Sequence, residues 1–193
     1  DRHSKLVLTA SGILLFGGWL LLLGFEWNAS MADLSIPEKL LASFFQAVTP
    51  RTAGFNTIDL GALTGPSQAV SCLLMFIGGS PGSTAGGIKT VTAAVLVLPA
   101  ISAFCGRTTV SAFGRTIAPR SIMNAVTLLM AGGVLCLVGA CAIAGIEDAP
   151  FHQCLFEAVS AFGTVGVSMG LTPTLSAASC VILIVMMYMG RVG

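Results

Sequence analysis

Long apolar stretches alternate with short polar ones along the chain. Leu6 to Trp27 provides about 20 mostly apolar residues, the length that a helix needs to cross roughly 30 Å of hydrocarbon. Ile122 to Ile146 and Leu175 to Gly193 have the same character. We therefore predict a membrane-spanning helix in each of these three stretches.

A fourth apolar stretch, from Ser67 to Phe104, is longer than one span requires and is interrupted at its middle. The interruption, Gly78 to Gly87, is rich in glycine and contains a proline, which a regular helix does not accommodate. We predict one spanning helix broken by a loop, which suits a hinge or gate across a permeation path. A passive kink packed against a neighbouring helix is the alternative. A phosphate-binding loop is disfavoured because Ile88 separates the glycine from Lys89.

Two shorter apolar segments, Pro37 to Val48 and Phe151 to Ala161, are too short to span a membrane. We predict that each forms a short re-entrant helix. Each leads into a Thr-x-Gly sequence, Thr52-Ala53-Gly54 in the first case and Thr164-Val165-Gly166 in the second. The order of span, short helix, polar loop and span thus occurs twice, which indicates an internal repeat.

The two Thr-x-Gly loops are candidate ion ligands. A helix that stops in apolar surroundings leaves backbone groups unpaired unless they line a wet cavity, and carbonyls around such a cavity can replace the water shell of a cation. Neutral oxygens suit potassium, and neither loop carries the acidic ligands of calcium sites. We predict that the loops belong to an ion filter, although Thr-x-Gly also occurs in ordinary interhelical turns. The candidate residues are Thr52, Ala53, Gly54, Phe55, Asn56, Thr164, Val165, Gly166, Val167 and Ser168.

The composition agrees with a membrane protein. Of the 193 residues, 55% are hydrophobic and 9% are charged, and the mean hydropathy is +0.93, whereas soluble domains carry about 25% charged residues. A soluble globule is therefore excluded, and membrane lipid is the expected surrounding. No basic run indicates a nucleic-acid partner.

The charged residues predict an orientation. Basic residues precede the first span and lie between the two repeats, whereas the links before the short helices are mainly acidic. The positive-inside rule then places the basic segments in the cytoplasm. The Thr-x-Gly loops would be entered from outside. The basic residues are Arg2, Lys5, Arg107, Arg115 and Arg120.

Three further charged residues lie near the predicted filter. Arg191 falls in the last apolar stretch, where it would be an electrostatic barrier in a cation path; if the helix ends there, it instead meets lipid headgroups. Arg51 and Glu157 could each brace a loop through hydrogen bonds. The scattered cysteines are expected to be reduced thiols, with no metal beyond the transported cation. We expect no enzymatic activity, because the acidic residues lie mostly in the links rather than on one face.

Three sequences resemble the Trk/Ktr/HKT potassium transporter superfamily: Pro50 to Thr57, Met75 to Thr90 and Gly190 to Gly193. Ser80-Pro81-Gly82 and Ile88-Lys89-Thr90 are more similar to the Ktr-type membrane subunit than to the Trk type. The resemblance covers nearly the whole chain.

The resemblance implies an all-α integral membrane fold, with four membrane-pore-membrane repeats around one potassium-channel-like pore. This sequence resembles the C-terminal half, repeats three and four, so that Thr52 to Asn56 and Thr164 to Ser168 would supply two quarters of the selectivity filter. The gate would consist of an intramembrane loop and the constriction arginine of the last repeat. Its residues would be Gly78, Gly79, Ser80, Pro81, Gly82, Ser83, Thr84, Ala85, Gly86, Gly87, Lys89 and Arg191.

The expected organisation is a third repeat with a broken second helix over 1–105, a cytoplasmic linker over 106–120, and a truncated fourth repeat over 121–193. The expected function is K+ uptake across the plasma membrane, as a multi-pass protein of the bacterial inner membrane. A pore-loop cation channel subunit or a sodium/potassium transporter is the alternative. The resemblance also implies a homodimer and a cytoplasmic nucleotide-binding regulatory ring. Because two repeats are missing, we expect the sequence to be part of a longer chain.

Overall fold

The computed structural model describes residues 2–79, 86–104, 111–112, 115–116 and 118–192. Helices dominate these ranges, as the sequence predicts. The α-helices of the described residues are α1 (Arg2–Glu26), α2 (Ile36–Val48), α3 (Gly65–Phe76), α4 (Thr90–Phe104), α5 (Pro119–Glu147), α6 (Phe151–Phe162) and α7 (Ala177–Val192). The predicted linker holds β1 (Ser111–Ala112), which pairs antiparallel with β2 (Arg115–Thr116).

Within the ranges that the structure describes, two helices are long and apolar enough to cross a membrane: α1 over Val7–Glu26, and α5 over Pro119–Glu147. They coincide with two of the predicted spans. Apolar side chains along both helices, such as Ile13 and Val138, are left uncovered by protein, which suits contact with lipid tails. Helices α4 and α7 are shorter but also apolar.

Helix α3 ends at Phe76, before the glycine-rich segment, and α4 starts after it at Thr90. Ile77 and Ile88 form a parallel bridge, and the Thr90 amide donates to the Gly79 carbonyl over 3.1 Å. The two ends of the glycine-rich segment therefore lie next to each other. Ser80, Pro81, Gly82, Ser83, Thr84 and Ala85 lie outside the described residues.

Local sequence signals mark the limits of the two short helices. At α2, Ser35 and Glu38 form a capping box, and a proline occupies the first turn. The hydrogen bonds from Ser35 hold the pKa of the exposed Glu38 carboxyl below its usual value. Asp148 adopts a left-handed conformation that ends α5, and α6 begins directly after Pro150.

The same order of elements follows each short helix. A loop leads into a 3-10 turn, Leu60–Ala62 after α2 and Thr172–Thr174 after α6, and then into an apolar helix. Neither 3-10 turn is predicted by the hydrophobic pattern. This order of elements therefore occurs twice within the described residues.

Two glutamates, each at the end of a long helix, bind the residue that directly precedes another helix. Glu26, at the end of α1, accepts from the Thr64 amide over 2.9 Å and from the Thr64 hydroxyl over 2.6 Å. Glu147, at the end of α5, accepts from the Ser176 amide over 2.9 Å and from its hydroxyl over 2.6 Å. We call these contacts the glutamate clamps. They act as N-caps supplied by another helix, because Thr64 and Ser176 directly precede α3 and α7.

The hydrophobic core is centred on α6, which packs against α3, α5 and α7. Phe156, Ala158 and Val159 are buried, and Phe76 of α3 stacks on Phe162 with 5.8 Å between ring centroids. Helix α2 is less enclosed, since it contacts mainly α1. The end of α6, and the loop that follows, are therefore held on several sides.

Candidate functional site

The two Thr-x-Gly loops lie side by side. We name them loop A (Thr52–Asn56) and loop B (Thr164–Ser168). A side chain placed on Gly54 would lie only 2.6 Å from the backbone carbonyl oxygen of Val165. The residues that were predicted to act together are thus in backbone contact, although they are far apart in the chain.

Both loops have the same unusual backbone. In loop A, Thr52 has φ 70° and Gly54 has φ 79°; in loop B, Thr164 has φ 53° and Gly166 has φ 88°. A residue of ordinary φ separates each pair, so the handedness alternates. In an extended strand, successive carbonyls point to opposite sides. Alternating handedness rotates successive peptide groups away from that arrangement. A β-branched threonine at positive φ is rare, so the surroundings must hold it there.

A hydroxyl on each short helix braces the loop that follows. Thr49 accepts from the Phe55 amide over 3.0 Å and donates to the Phe55 carbonyl. Ser160 donates to the Val167 carbonyl over 2.6 Å. The carbonyls of Phe55 and Val167 are therefore engaged by the helices. Thr49 and Ser160 were not among the sequence candidates, although a hydroxyl residue near the end of each short helix was a signal.

The two predicted bracing residues behave differently. Glu157 is buried, and its Oε1 accepts from the Ser168 hydroxyl over 2.6 Å, so it does brace loop B. Arg51 donates instead to Ser11 of α1, over 3.2 Å to the carbonyl and 3.4 Å to the hydroxyl. Arg51 thus fastens the start of loop A to the first spanning helix.

A cavity of about 750 Å³ lies beside the two loops. It brings together the threonines of both loops, hydroxyl groups and the arginine of the last helix. Apolar side chains of α7 form the rest of its wall. The lining residues are Thr52, Glu157, Ser160, Ala161, Thr164, Gly166, Val167, Ser168, Thr172, Leu183, Met187, Tyr188 and Arg191.

The end of the glycine-rich segment is attached to loop B. The Gly86 amide donates to the Thr164 hydroxyl over 2.9 Å, and the Gly87 amide donates to the Gly190 carbonyl of α7 over 3.2 Å. We call Gly86 and Gly87 the glycine rim. The hydrophobic pattern predicts a loop here, but not that it contacts the other repeat.

Only glycine fits this crowded junction. A side chain on Gly86 would approach the Thr164 hydroxyl oxygen to 2.5 Å, and one on Gly163 would lie 2.6 Å from the Met75 carbonyl oxygen. A side chain on Gly190 would overlap the Phe162 carbonyl. The backbones of the rim, loop B and α7 therefore pack directly against one another.

The two predicted basic gate residues flank this junction. Arg191 lies exposed in the last turn of α7 and lines the 750 Å³ cavity. Lys89 is half-buried and lines a second cavity of about 380 Å³, whose walls are mainly apolar side chains of α5. Gly78 and Gly79 lie at the opposite end of the segment, where Gly78 packs against Gly86.

In the described ranges, no group of three or more histidine, cysteine, aspartate or glutamate residues could hold a metal ion. The cysteines that the structure describes are free thiols: Cys72, Cys136, Cys141, Cys154 and Cys180. The oxygen atoms that loop A and loop B themselves carry are neutral hydroxyl, amide and backbone oxygens.

A family model described as TrkH, cation transport protein, matches residues 8–193. The chain belongs to this family. It is 40% identical over 196 residues to a potassium/sodium uptake protein, NtpJ, of Enterococcus hirae, covering 99% of this chain and 44% of that protein. It is 41% identical over 193 residues to the Ktr system potassium uptake protein B of Bacillus subtilis, covering 99% of this chain and 43% of the relative.

The fold agrees with a solved relative. The crystal structure of the potassium transporter TrkH from Vibrio parahaemolyticus superposes with a TM-score of 0.77 at 21% identity, covering 99% of this chain and 42% of that one. The chain therefore spans less than half the length of these relatives. The family resemblance expected from the sequence is confirmed, and the helical fold is similar to that of TrkH.

Proposed function

We propose that this chain is the part of a potassium uptake subunit that contains repeats three and four, with loop A and loop B as two quarters of its selectivity filter. The observation that supports this most directly is the pairing of the loops. They share alternating backbone handedness, and Gly54 packs against the Val165 carbonyl. Two equivalent loops in contact are what a filter assembled from repeats requires.

In this proposal, backbone carbonyls and threonine hydroxyls of the loops replace the water shell of K+. The residues nearest to that role are Thr52 to Gly54 and Thr164 to Gly166. Phe55 and Val167 support the loops instead, because their carbonyls are engaged by Thr49 and Ser160. Asn56 and Ser168 stand at the loop exits.

The glycine-rich segment, Gly78 to Lys89, is the proposed gate. Its rim contacts loop B directly, so a change in the position of the segment reaches the filter through one hydrogen bond. Arg191 adds a positive charge beside the same cavity, where it would oppose cation passage. Cation flow down its electrochemical gradient needs no covalent chemistry, and we propose no enzymatic activity.

The remaining features of the proposal follow from the family. The subunit is a multi-pass protein of the bacterial plasma membrane, with the loops facing outward, and it forms a homodimer on a cytoplasmic nucleotide-binding ring. A sodium/potassium transporter is the second candidate, because the Enterococcus hirae relative is named a potassium/sodium uptake protein.

The test is uptake of rubidium-86 into liposomes by the full-length parent protein, with and without excess sodium. The variant is Gly54→Ser, which places a side chain against the Val165 carbonyl. Gly133→Ser is the control, since Gly133 lies in α5, outside both loops, and has no atom within 4 Å of an added Cβ. Gly54→Ser also carries the cost of a left-handed side chain, about 1–2 kcal/mol, so the melting temperatures of both variants are compared to separate a loss of folding from a disturbed loop contact.

We expect the parent and Gly133→Ser to take up rubidium in excess sodium, and Gly54→Ser to lose uptake or to admit sodium. Equal behaviour of the two variants would show that loop A is only a structural turn. Equal competition by sodium and potassium in the parent would favour the second candidate.

A further inference from the structure

Glu157 holds the exit of loop B through three donors. Its Oε1 accepts from the Ser168 hydroxyl over 2.6 Å and from the Met169 amide over 3.0 Å, and its Oε2 accepts from the Thr172 hydroxyl over 2.5 Å. The side chain is buried, with 3% of its surface exposed. A buried carboxylate is stable only when such donors compensate it, so the exit and the carboxylate depend on each other.

The network extends one residue further along the chain. The Gly170 amide donates to the Ser168 hydroxyl over 3.0 Å, and that hydroxyl in turn donates to Glu157. The backbone from Ser168 to Thr172 is thus fixed around one side chain of α6. Since α6 lies in the centre of the core, loop B is attached to a well-packed part of the molecule.

Loop A lacks this arrangement. The residue of α2 that corresponds to Glu157 is Gln46, which is buried but whose side-chain oxygen has no partner among the described residues. Leu60 occupies the position of Thr172, at the start of the 3-10 turn. Asn56 occupies the position of Ser168, and it donates to its neighbour Ile58 over 3.3 Å rather than to α2. The carboxylate and its hydroxyl donors therefore occur together in one repeat and are absent together from the other.

We propose that Glu157 is a positioning residue that sets ion selectivity by fixing the exit of loop B, which makes the two quarters of the filter unequal in rigidity. The inference rests on the proposed function. Backbone oxygens discriminate between ions only if the loop does not contract around an ion of the wrong size. In this proposal, the hydrogen bonds from the exit of loop B to Glu157 resist that contraction. Loop B is then the more rigid quarter of the filter, and loop A is the more flexible one.

The test compares Glu157→Gln with the parent in the full-length protein in liposomes. The amide keeps the size of the side chain but removes the charge and one acceptor oxygen, so the charge-assisted hydrogen bonds become neutral ones and the hydroxyl that faces the amide nitrogen must accept instead of donate. We expect the preference for rubidium over sodium to fall about tenfold or more, as for loss of one charge-assisted hydrogen bond. The maximal uptake rate should change less. Glu38→Gln is the matched control, since glutamine also completes a capping box.

Ser168→Ala and Thr172→Val provide the second arm. Each removes one donor and keeps the carboxylate, and each should lower the ion preference in the same direction. If Glu157→Gln fails to fold, as judged by size-exclusion chromatography, the ion preference of these two variants tests the proposed role of Glu157.

Two outcomes would overturn the inference. In the first, Glu157→Gln and the two donor variants keep the preference of the parent. In the second, Glu157→Gln changes only the rubidium concentration at half-maximal uptake, as expected of a charge that attracts cations without shaping the loop. A parent protein that takes up no rubidium refutes the proposed function instead.

Discussion

The contact between the glycine rim and loop B gives a prediction that can be measured at a single amide. Thr164→Val keeps the shape and the β-branching of the side chain, and therefore the backbone strain at φ 53°, but removes the hydroxyl that accepts from Gly86. Gly86 is buried, so its amide has little access to another acceptor. Thr164→Ser is the matched control, because it keeps the hydroxyl.

The magnitude follows from the unpaired amide. A buried donor left without a partner costs about 1–3 kcal/mol, which corresponds to a factor of about 5 to 150 in the equilibrium between docked and undocked rim. We expect the Gly86 amide to exchange with deuterium faster by a factor in this range in Thr164→Val. Thr164→Ser should exchange as the parent does.

Hydrogen exchange followed by mass spectrometry, on the full-length protein in nanodiscs, measures this factor for the peptide that contains Gly86. Peptides from the centre of α5 provide the internal reference for global stability. Parent-like exchange at Gly86 in Thr164→Val would refute the idea that this hydrogen bond holds the rim. Faster exchange in α5 as well would mean that the whole fold, rather than the rim, has loosened.

Two further predictions concern packing and helix ends. Gly190→Ala should lower the thermal stability by about 1–3 kcal/mol, because its side chain meets the backbone of Phe162; Gly133→Ala in α5 meets nothing within 4 Å and should be neutral or slightly stabilising. Glu147→Gln should lower the melting temperature, since the Ser176 amide, the Ser176 hydroxyl and the Ser179 hydroxyl converge on one carboxylate oxygen, and their charge-assisted hydrogen bonds become weaker neutral ones. Melting of the purified parent protein in detergent measures all three, and an unchanged transition for Gly190→Ala or Glu147→Gln would contradict the respective contact.

The sequence predicts the helices well because their limits depend on local signals. Apolar runs of spanning length mark α1 and α5, and prolines mark the starts of α2 and α6. The glycine-rich break is equally local, and its position agrees with the ends of α3 and α4. The predicted restart at Ile88 lies two residues before α4, because Ile88 bridges back to Ile77.

The contacts between distant segments could not be predicted in this way. The bond from Gly86 to Thr164 joins two repeats, and its existence depends on how α3, α6 and α7 pack. The loops themselves were recognisable from Thr-x-Gly, but their shared φ values and the bracing by Thr49 and Ser160 require coordinates. Repetition within the chain was the available signal, since a hydroxyl residue stands near the end of both short helices.

The glutamate clamps have a mechanical consequence. Each clamp fixes one end of a helix, and the Gly190 carbonyl that receives the rim lies near the opposite end of α7. At 1.5 Å per residue, the distance from Ser176 to Gly190 is about 21 Å, so a tilt of about 5° around the clamp moves Gly190 by about 2 Å. That displacement is enough to separate Gly190 from Gly87, whose amide now lies 3.2 Å from its carbonyl. A small rotation of α7 about its clamped end would therefore be sufficient to release the rim at the other end.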